Sequence, residues 1–103
     1  MKKIVKGKVY DAERSTEVAS YTNHLGTNDH KHCYETLYRT KNGNWFLVGE
    51  GGPLTQYCKL VGDLFTSGAA LLPLTPDEAL EWLERNDEVS EIEEYFSDRI
   101  QEA

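Results

Sequence analysis

The residues with the greatest capacity for chemistry lie in one short stretch of the chain. All three histidines, His24, His30 and His32, lie within ten residues of Cys33, and the second cysteine, Cys58, follows 25 residues later. Imidazole and thiolate are the ligands that zinc prefers, and a closed structural zinc site needs four of them. His30, His32, Cys33 and Cys58 therefore form a candidate zinc site, provided that the fold brings Cys58 close to the others.

The spacing of these ligands differs from that of the standard zinc fingers. His32 and Cys33 are adjacent, and adjacent side chains on an extended strand point to opposite faces, so both bind one metal only where the chain bends. The alternative is a polar loop with surface histidines and a buried cysteine in the following strand, both cysteines being reduced. The same pair is the best candidate for nucleophilic catalysis, which needs a base beside the thiol. Since no other acid–base pair stands out, we expect a protein that is not an enzyme.

Charge is distributed very unevenly along the chain. The net charge is −7, but residues 1–70 carry nine basic and seven acidic side chains, whereas residues 71–103 carry eleven acidic side chains and two arginines, a net charge of −9. The overall balance argues against non-specific binding to nucleic acid or to an anionic membrane, which both need a basic surface. No apolar run approaches the roughly 18 residues of a membrane span. We expect a single cytoplasmic domain over residues 1–103.

The acidic segment has apolar residues at helical spacing, which predicts folded helices rather than a disordered tail. No lysine follows Lys59, and acids stand four residues apart at Glu94 and Asp98, an arrangement that costs a few tenths of a kcal/mol per pair, roughly. An ordinary solvated face is the simple interpretation. The alternative is a surface that binds a basic, nucleic-acid-binding groove of another protein. The residues predicted to bind that partner are Glu81, Glu84, Asp87, Glu88, Glu91, Glu94 and Asp98.

The clearest local structure is a β-hairpin formed by residues 34–40 and 45–48. Asn42-Gly43 lies between the two runs and fits a type I′ turn, in which both central residues have positive φ. A two-residue loop there makes facing residue numbers sum to about 85. Leu37 then faces Val48, and Arg39 lies across the ring of Phe46.

The remaining pattern predicts an α+β fold, with a small antiparallel sheet of about four strands packed by helices. Thr75 is expected to cap the helix that follows, with Pro76 in its first turn and Glu78 closing a capping box. The other predicted elements are strands over 3–10 (with a bulge at Gly7), 16–21 and 70–74, an irregular loop over 22–32, and helices over 54–65, 75–86 and 89–101.

Segments 8–13, 33–52 and 72–75, followed by the acidic helix, share a distinctive pattern whose most specific part runs from the Glu-Thr-Leu-Tyr-Arg-Thr-Lys stretch to Gly-Glu-Gly-Gly. In order and spacing these segments resemble a family of small proteins found in phages, prophages and mobile elements of Gram-positive bacteria. The resemblance covers nearly the whole chain. Most members of that family have no known function, so the resemblance assigns no site residue. It implies a mobile-element setting, where small acidic proteins without enzyme motifs are often inhibitors of host defence.

These observations lead to two functional hypotheses. The first is a non-enzymatic inhibitor, with an anti-CRISPR protein as the obvious class, whose acidic helices bind a Cas nuclease and hinder the loading of guide or target nucleic acid. The second is a zinc-stapled accessory module of a mobile element that binds a protein through exposed aromatic residues. Zinc suits a small domain with few apolar residues in its core.

Overall fold

The computed structural model describes all residues from Met1 to Ala103 and has the α+β architecture predicted from the sequence. A four-stranded antiparallel sheet in the order β3-β4-β5-β8 forms the centre, and two hairpins, β1–β2 and β6–β7, form separate two-stranded sheets. The elements are β1 (Lys2–Val5), β2 (Lys8–Asp11), β3 (Thr16–Thr22), β4 (Cys33–Arg39), β5 (Trp45–Gly51), β6 (Lys59–Val61), β7 (Leu64–Thr66), β8 (Gly68–Leu74), α1 (Pro76–Arg85) and α2 (Val89–Tyr95). Short 3₁₀ turns cover Ala12–Arg14 and Ser97–Arg99.

The central hairpin is present, but its predicted register is wrong by one residue. The pairs Leu37–Leu47 and Arg39–Trp45 face each other, so facing residue numbers sum to 84. In the turn only Gly43 has a positive φ, of 84°, and its N–H donates to the carbonyl oxygen of Thr40 at 2.9 Å. The loop is therefore the three-residue type, whose last residue is a glycine in the left-handed backbone conformation, rather than a two-residue type I′ turn.

A shift of one residue decides which side chains meet the helices, because side chains alternate between the two faces of a strand. Leu37, Trp45 and Leu47 share one face and pack against α1 and α2. Phe46 lies on the opposite face and packs with Leu71 and with the β1–β2 hairpin. The sheet thus lies between the helices on one side and the β1–β2 hairpin on the other.

The same shift moves Arg39 away from its predicted position over Phe46. Its guanidinium instead lies 5.5 Å from the ring centroid of Trp45 and 5.4 Å from that of Tyr95. Trp45 also stacks on Phe96 with a centroid separation of 5.2 Å. These contacts fasten the end of α2 to the sheet.

Two predicted elements are hairpins instead. The strand expected over residues 3–10 turns back at Lys6 and Gly7, whose φ values of 52° and 78° match a type I′ turn, so Gly7 is a turn residue and not a bulge. The helix expected over residues 54–65 is the β6–β7 hairpin after a run of turns. Gly62, with φ of 61°, takes the first central position of its turn, as type II′ requires. The helical spacing of apolar residues there was misleading because all of them except Tyr57 are exposed, so they form no buried helical face.

The strands predicted at 16–21 and 70–74 are confirmed as β3 and β8, and the region between β3 and β4 is irregular as expected. β8 lies at the edge of the central sheet, where Pro73 is tolerated because one side of the strand needs no ladder hydrogen bond.

The capped helix is confirmed in detail. The Thr75 hydroxyl accepts from the Glu78 N–H at 3.1 Å, and the Glu78 carboxylate accepts from the Thr75 N–H at 2.8 Å. Trp82 of this helix is fully buried. α2 is shorter than predicted and ends at Tyr95, since Phe96 leaves the helical conformation and inserts into the core.

Candidate functional site

The seven acids predicted to bind a partner, here called the acidic face, lie on α1, α2 and the segments that flank α2. Burial of Ala79, Trp82, Leu83 and Phe96 against the sheet fixes which side of each helix is turned to solvent. Five members of the acidic face are exposed and two are partly buried. The exposed members are Glu81, Glu84, Asp87, Glu94 and Asp98, and the partly buried members are Glu88 and Glu91.

No cation of the same chain forms a salt bridge with the acidic face. The one salt bridge in the structure joins Arg99 to Asp77, which is outside this set. The pKa of Glu88 is raised by its partial burial and by the neighbouring carboxylates of Glu91 and Asp87. Carboxylates this close together repel one another, and a cation placed among them would reduce that repulsion.

Basic residues collect on the other side of the sheet. The β1–β2 hairpin carries Lys2, Lys3 and Lys8 on its strands and Lys6 in its turn, and Arg14 follows in the 3₁₀ turn. Because this hairpin packs on the face opposite the helices, the molecule has a negative side and a positive side. Such a charge separation orients the protein as it approaches a charged partner.

The predicted zinc ligands are not brought together. Cys33 lines a cleft beside Glu35, whereas Cys58 lines a different groove beside β8. The Nδ1–H of His32 donates to the carbonyl oxygen of Asp29 at 2.7 Å, and His30 is exposed on the same loop. No group of three or more His, Cys, Asp or Glu side chains is placed to hold a metal ion. The four-ligand zinc site is therefore not formed, because adjacent residues on an extended chain diverge and Cys58 lies in another part of the surface.

The Cys33–His32 pair also lacks the geometry of a nucleophile and its base. The His32 ring is hydrogen-bonded to its own loop, and Cys33 begins β4. Burial and the Glu35 carboxylate raise the pKa of the Cys33 thiol, which favours the protonated form over the reactive thiolate. The pair has no feature that would activate the thiol.

The sequence analysis did not identify the most highly connected buried polar group of the protein, the carboxylate of Glu35, which accepts three hydrogen bonds. This side chain is only 8% exposed, on the helix-facing side of β4. One oxygen accepts from Trp82 Nε1 at 3.0 Å, and the other accepts from Gln56 Nε2 at 3.0 Å and from the Tyr57 hydroxyl. Glu35 thus joins the sheet, the segment before β6 and α1.

Close packing around Tyr57 supports this network. The ring of Tyr57 lies directly on Gly49, where an added Cβ would come within 2.0 Å of its Cζ atom. The pKa of the Tyr57 hydroxyl is strongly raised by burial and by its hydrogen bond to Glu35. The only sequence signal was an acidic residue inside a predicted strand, and it does not reveal the three donors. We interpret the network as the device that fixes α1, and with it the acidic face, on the sheet.

Comparisons with known proteins give no match: no family model, no curated protein and no solved structure matches the chain. The resemblance to mobile-element proteins therefore stays a prediction. No helix of the structure is long and apolar enough to cross a membrane.

Proposed function

We propose that this chain is a non-enzymatic inhibitor that binds, through its acidic face, a basic nucleic-acid-binding groove of another protein. The partner class that we propose is a Cas nuclease, which would make the chain an anti-CRISPR protein acting in the cytoplasm of a bacterial host. The partner class and the cellular setting depend on the resemblance to mobile-element proteins, whereas the mode of binding depends on the structure.

One observation carries the proposal: five of the seven side chains of the acidic face are exposed, and none of the seven forms a salt bridge within the chain. Lysine and arginine side chains that line a nucleic-acid groove bind phosphate oxygens, and carboxylate oxygens satisfy the same donors. A rigid surface with several carboxylates can therefore compete with guide or target nucleic acid. The Glu35 network supplies rigidity, because it fastens α1 through Trp82.

The position of the acidic face also favours rapid association. Opposite charges on two proteins increase the rate of encounter, and this effect weakens with ionic strength. We expect binding to the nuclease to be fast at low salt and to slow markedly as salt is raised.

The test measures the affinity of the wild-type protein and of a variant that lacks four exposed charges for purified Cas nuclease. The nuclease is used both free and loaded with guide RNA. The variant is Glu81→Gln, Glu84→Gln, Glu94→Gln and Asp98→Asn. Since each exposed interfacial charge contributes about 0.5 kcal/mol, the four together amount to about 2 kcal/mol, or roughly a 30-fold loss of affinity.

A matched control removes the same number of charges from other parts of the surface. It combines Glu13→Gln, Glu17→Gln, Glu50→Gln and Asp63→Asn, all exposed in the structure. Both variants have the same net charge, so a loss confined to the acidic-face variant supports local contact. Equal loss in both variants, or none in either, contradicts the proposed interface.

Inhibition is tested separately from binding. In a DNA-cleavage assay, the protein is added either before or after the guide RNA, and then before or after the target DNA. Competition for the groove predicts that inhibition is strong when the protein is added first and weak once the groove is occupied. Inhibition that does not depend on the order of addition would contradict competition.

A further inference from the structure

The β6–β7 hairpin is an apolar element that the rest of the chain leaves uncovered. Leu60 and Phe65 face each other and are 60% and 61% exposed, and Val61 and Leu64 face each other and are 54% and 71% exposed. Successive residues alternate between faces, so both faces of this hairpin are apolar. An isolated two-stranded hairpin has marginal stability in water, and this one has no covering layer of its own.

An apolar groove lies at the base of the same hairpin. It has a volume of about 490 Å³, and its wall includes Tyr57 and Leu72, the latter 40% exposed. Small residues of β8, Gly68, Ala69 and Ala70, leave space along its floor. The hairpin and the groove are therefore neighbouring surfaces that both lack an apolar partner.

The charges around these two surfaces favour a second copy of this chain as the occupant. The hairpin carries only Lys59 and Asp63, whose charges cancel, in a molecule whose net charge is −7. The acidic faces of two copies repel each other, whereas the hairpin and groove region brings no uncompensated like charges together.

The areas involved are sufficient for a stable dimer. Each face of the hairpin has two exposed side chains of about 100 Å² each, so one face covers about 200 Å² and buries a similar area of the groove that receives it. Two such contacts bury about 800 Å², and contact between the two remaining hairpin faces adds about 400 Å². The total of about 1,200 Å² is at the lower end of the range for specific protein interfaces.

We propose that the protein forms a two-fold dimer in which the β6–β7 hairpin of each copy lies in the groove beside β8 of the other. This exchange explains why both faces of the hairpin are apolar: one face contacts the partner's groove, and the other contacts the partner's hairpin. The contact is the same from either copy, as a two-fold interface requires.

The experiment is analytical ultracentrifugation of the full chain from about 1 to about 300 μM, with and without substitutions in each surface. Leu64→Lys disrupts the hairpin surface, and Leu72→Glu disrupts the groove. The matched control is Ile4→Lys, since Ile4 is 66% exposed on the separate β1–β2 hairpin. We expect a mass of twice 11.7 kDa for the wild type and for the control, and a dissociation constant at least about tenfold higher for each disrupting variant.

Mixing the two disrupting variants tests the reciprocal geometry. A heterodimer of Leu64→Lys with Leu72→Glu keeps one intact hairpin-in-groove contact, because the intact hairpin of one meets the intact groove of the other. The mixture should therefore dimerise more tightly than either variant alone. A wild-type protein that stays monomeric over the whole range, or a dimer that neither substitution weakens, would overturn the proposal, as would a mixture no tighter than its components. All three substituted positions are at least 40% exposed, so each variant should fold. Thermal unfolding of each variant checks that it does.

Discussion

Replacing Glu35 with alanine is expected to lower the free energy of unfolding by about 4 kcal/mol. The substitution leaves the Tyr57 hydroxyl and the Trp82 Nε1–H without their acceptor in a buried region. Hydrogen bonds to a charged group contribute about 1.5–3 kcal/mol each, and a buried donor left without an acceptor adds a desolvation cost. Gln56 is exposed, so water replaces its lost acceptor at little cost.

The measurement is urea-induced unfolding followed by tryptophan fluorescence. Trp45 and Trp82 are both buried, at 4% and 1% exposure, so both report the loss of the core. With a denaturant slope of about 1.5–2 kcal/mol/M for a domain of this size, the midpoint should fall by roughly 2–3 M.

Two further variants separate the hydrogen bonds from the effect of side-chain volume. In Glu35→Gln the amide oxygen can still accept from Trp82 while the amide nitrogen donates to the Tyr57 oxygen, so the expected loss is only about 1–2 kcal/mol. A double-mutant cycle between Glu35→Ala and Tyr57→Phe should give a coupling energy of about 1–3 kcal/mol. A loss below about 1 kcal/mol for Glu35→Ala, or a coupling energy near zero, would refute the view that this carboxylate fastens α1 to the sheet.

Three other predictions follow from single contacts. The raised pKa of Tyr57 disfavours its ionisation in the folded state, whereas unfolded tyrosine ionises near pH 10. The free energy of unfolding should therefore fall above about pH 10. Tyr57→Phe should reduce that fall when unfolding is measured at pH 9 and at pH 11. Gly49→Ala should lower the free energy of unfolding by about 2–3 kcal/mol, because the new Cβ meets the Tyr57 ring. The control Gly26→Ala, whose Cβ would have no atom within 4 Å, should leave the melting temperature almost unchanged. Equal effects of the two substitutions would contradict the close packing at Gly49. Thr75→Ala removes the acceptor for the first turn of α1 and should cost about 1 kcal/mol in urea unfolding, and an unchanged midpoint would show that the cap does not contribute.

The comparison of sequence and structure shows where local reasoning succeeds. The start of α1 was predicted to the residue, because Thr75, Pro76 and Glu78 act through contacts within one helical turn. The helix predicted over residues 54–65 is wrong because a helical spacing of apolar residues indicates a helix only where they form a buried face. In this chain these residues include a hairpin whose apolar side chains stay exposed.

The central hairpin shows how a small local choice changes the whole arrangement. Asn42-Gly43 was correctly identified as a turn, but the identity of the two residues does not decide whether the loop has two or three residues. The three-residue loop places Trp45 and Leu47 beneath the helices together with Leu37. Packing of Trp82 and Phe96 against exactly one face of the sheet selects this register, and such packing is invisible from the loop sequence.

The candidate sites, too, could be predicted only where they depend on residues close together in the sequence. The concentration of acids in the last third of the chain was evident from the sequence, and the structure adds that most of them are exposed and that only Asp77 forms a salt bridge, with Arg99. The four predicted zinc ligands are not grouped in the structure, because closeness along the chain does not place His32, Cys33 and Cys58 around one point. Glu35 was overlooked because its donors come from residues 21, 22 and 47 positions away.

The α+β class, the capped acidic helix and the sign of the charge on each part of the chain could be predicted from the amino-acid sequence, since they follow from composition and from interactions within a few residues. The strand register, the exposed apolar β6–β7 hairpin and the burial of Glu35 among three donors could not, and they became known only from the folded structure. These features depend on contacts between distant segments, and the free energy of such contacts is set by packing and solvent exclusion rather than by the identity of neighbouring residues.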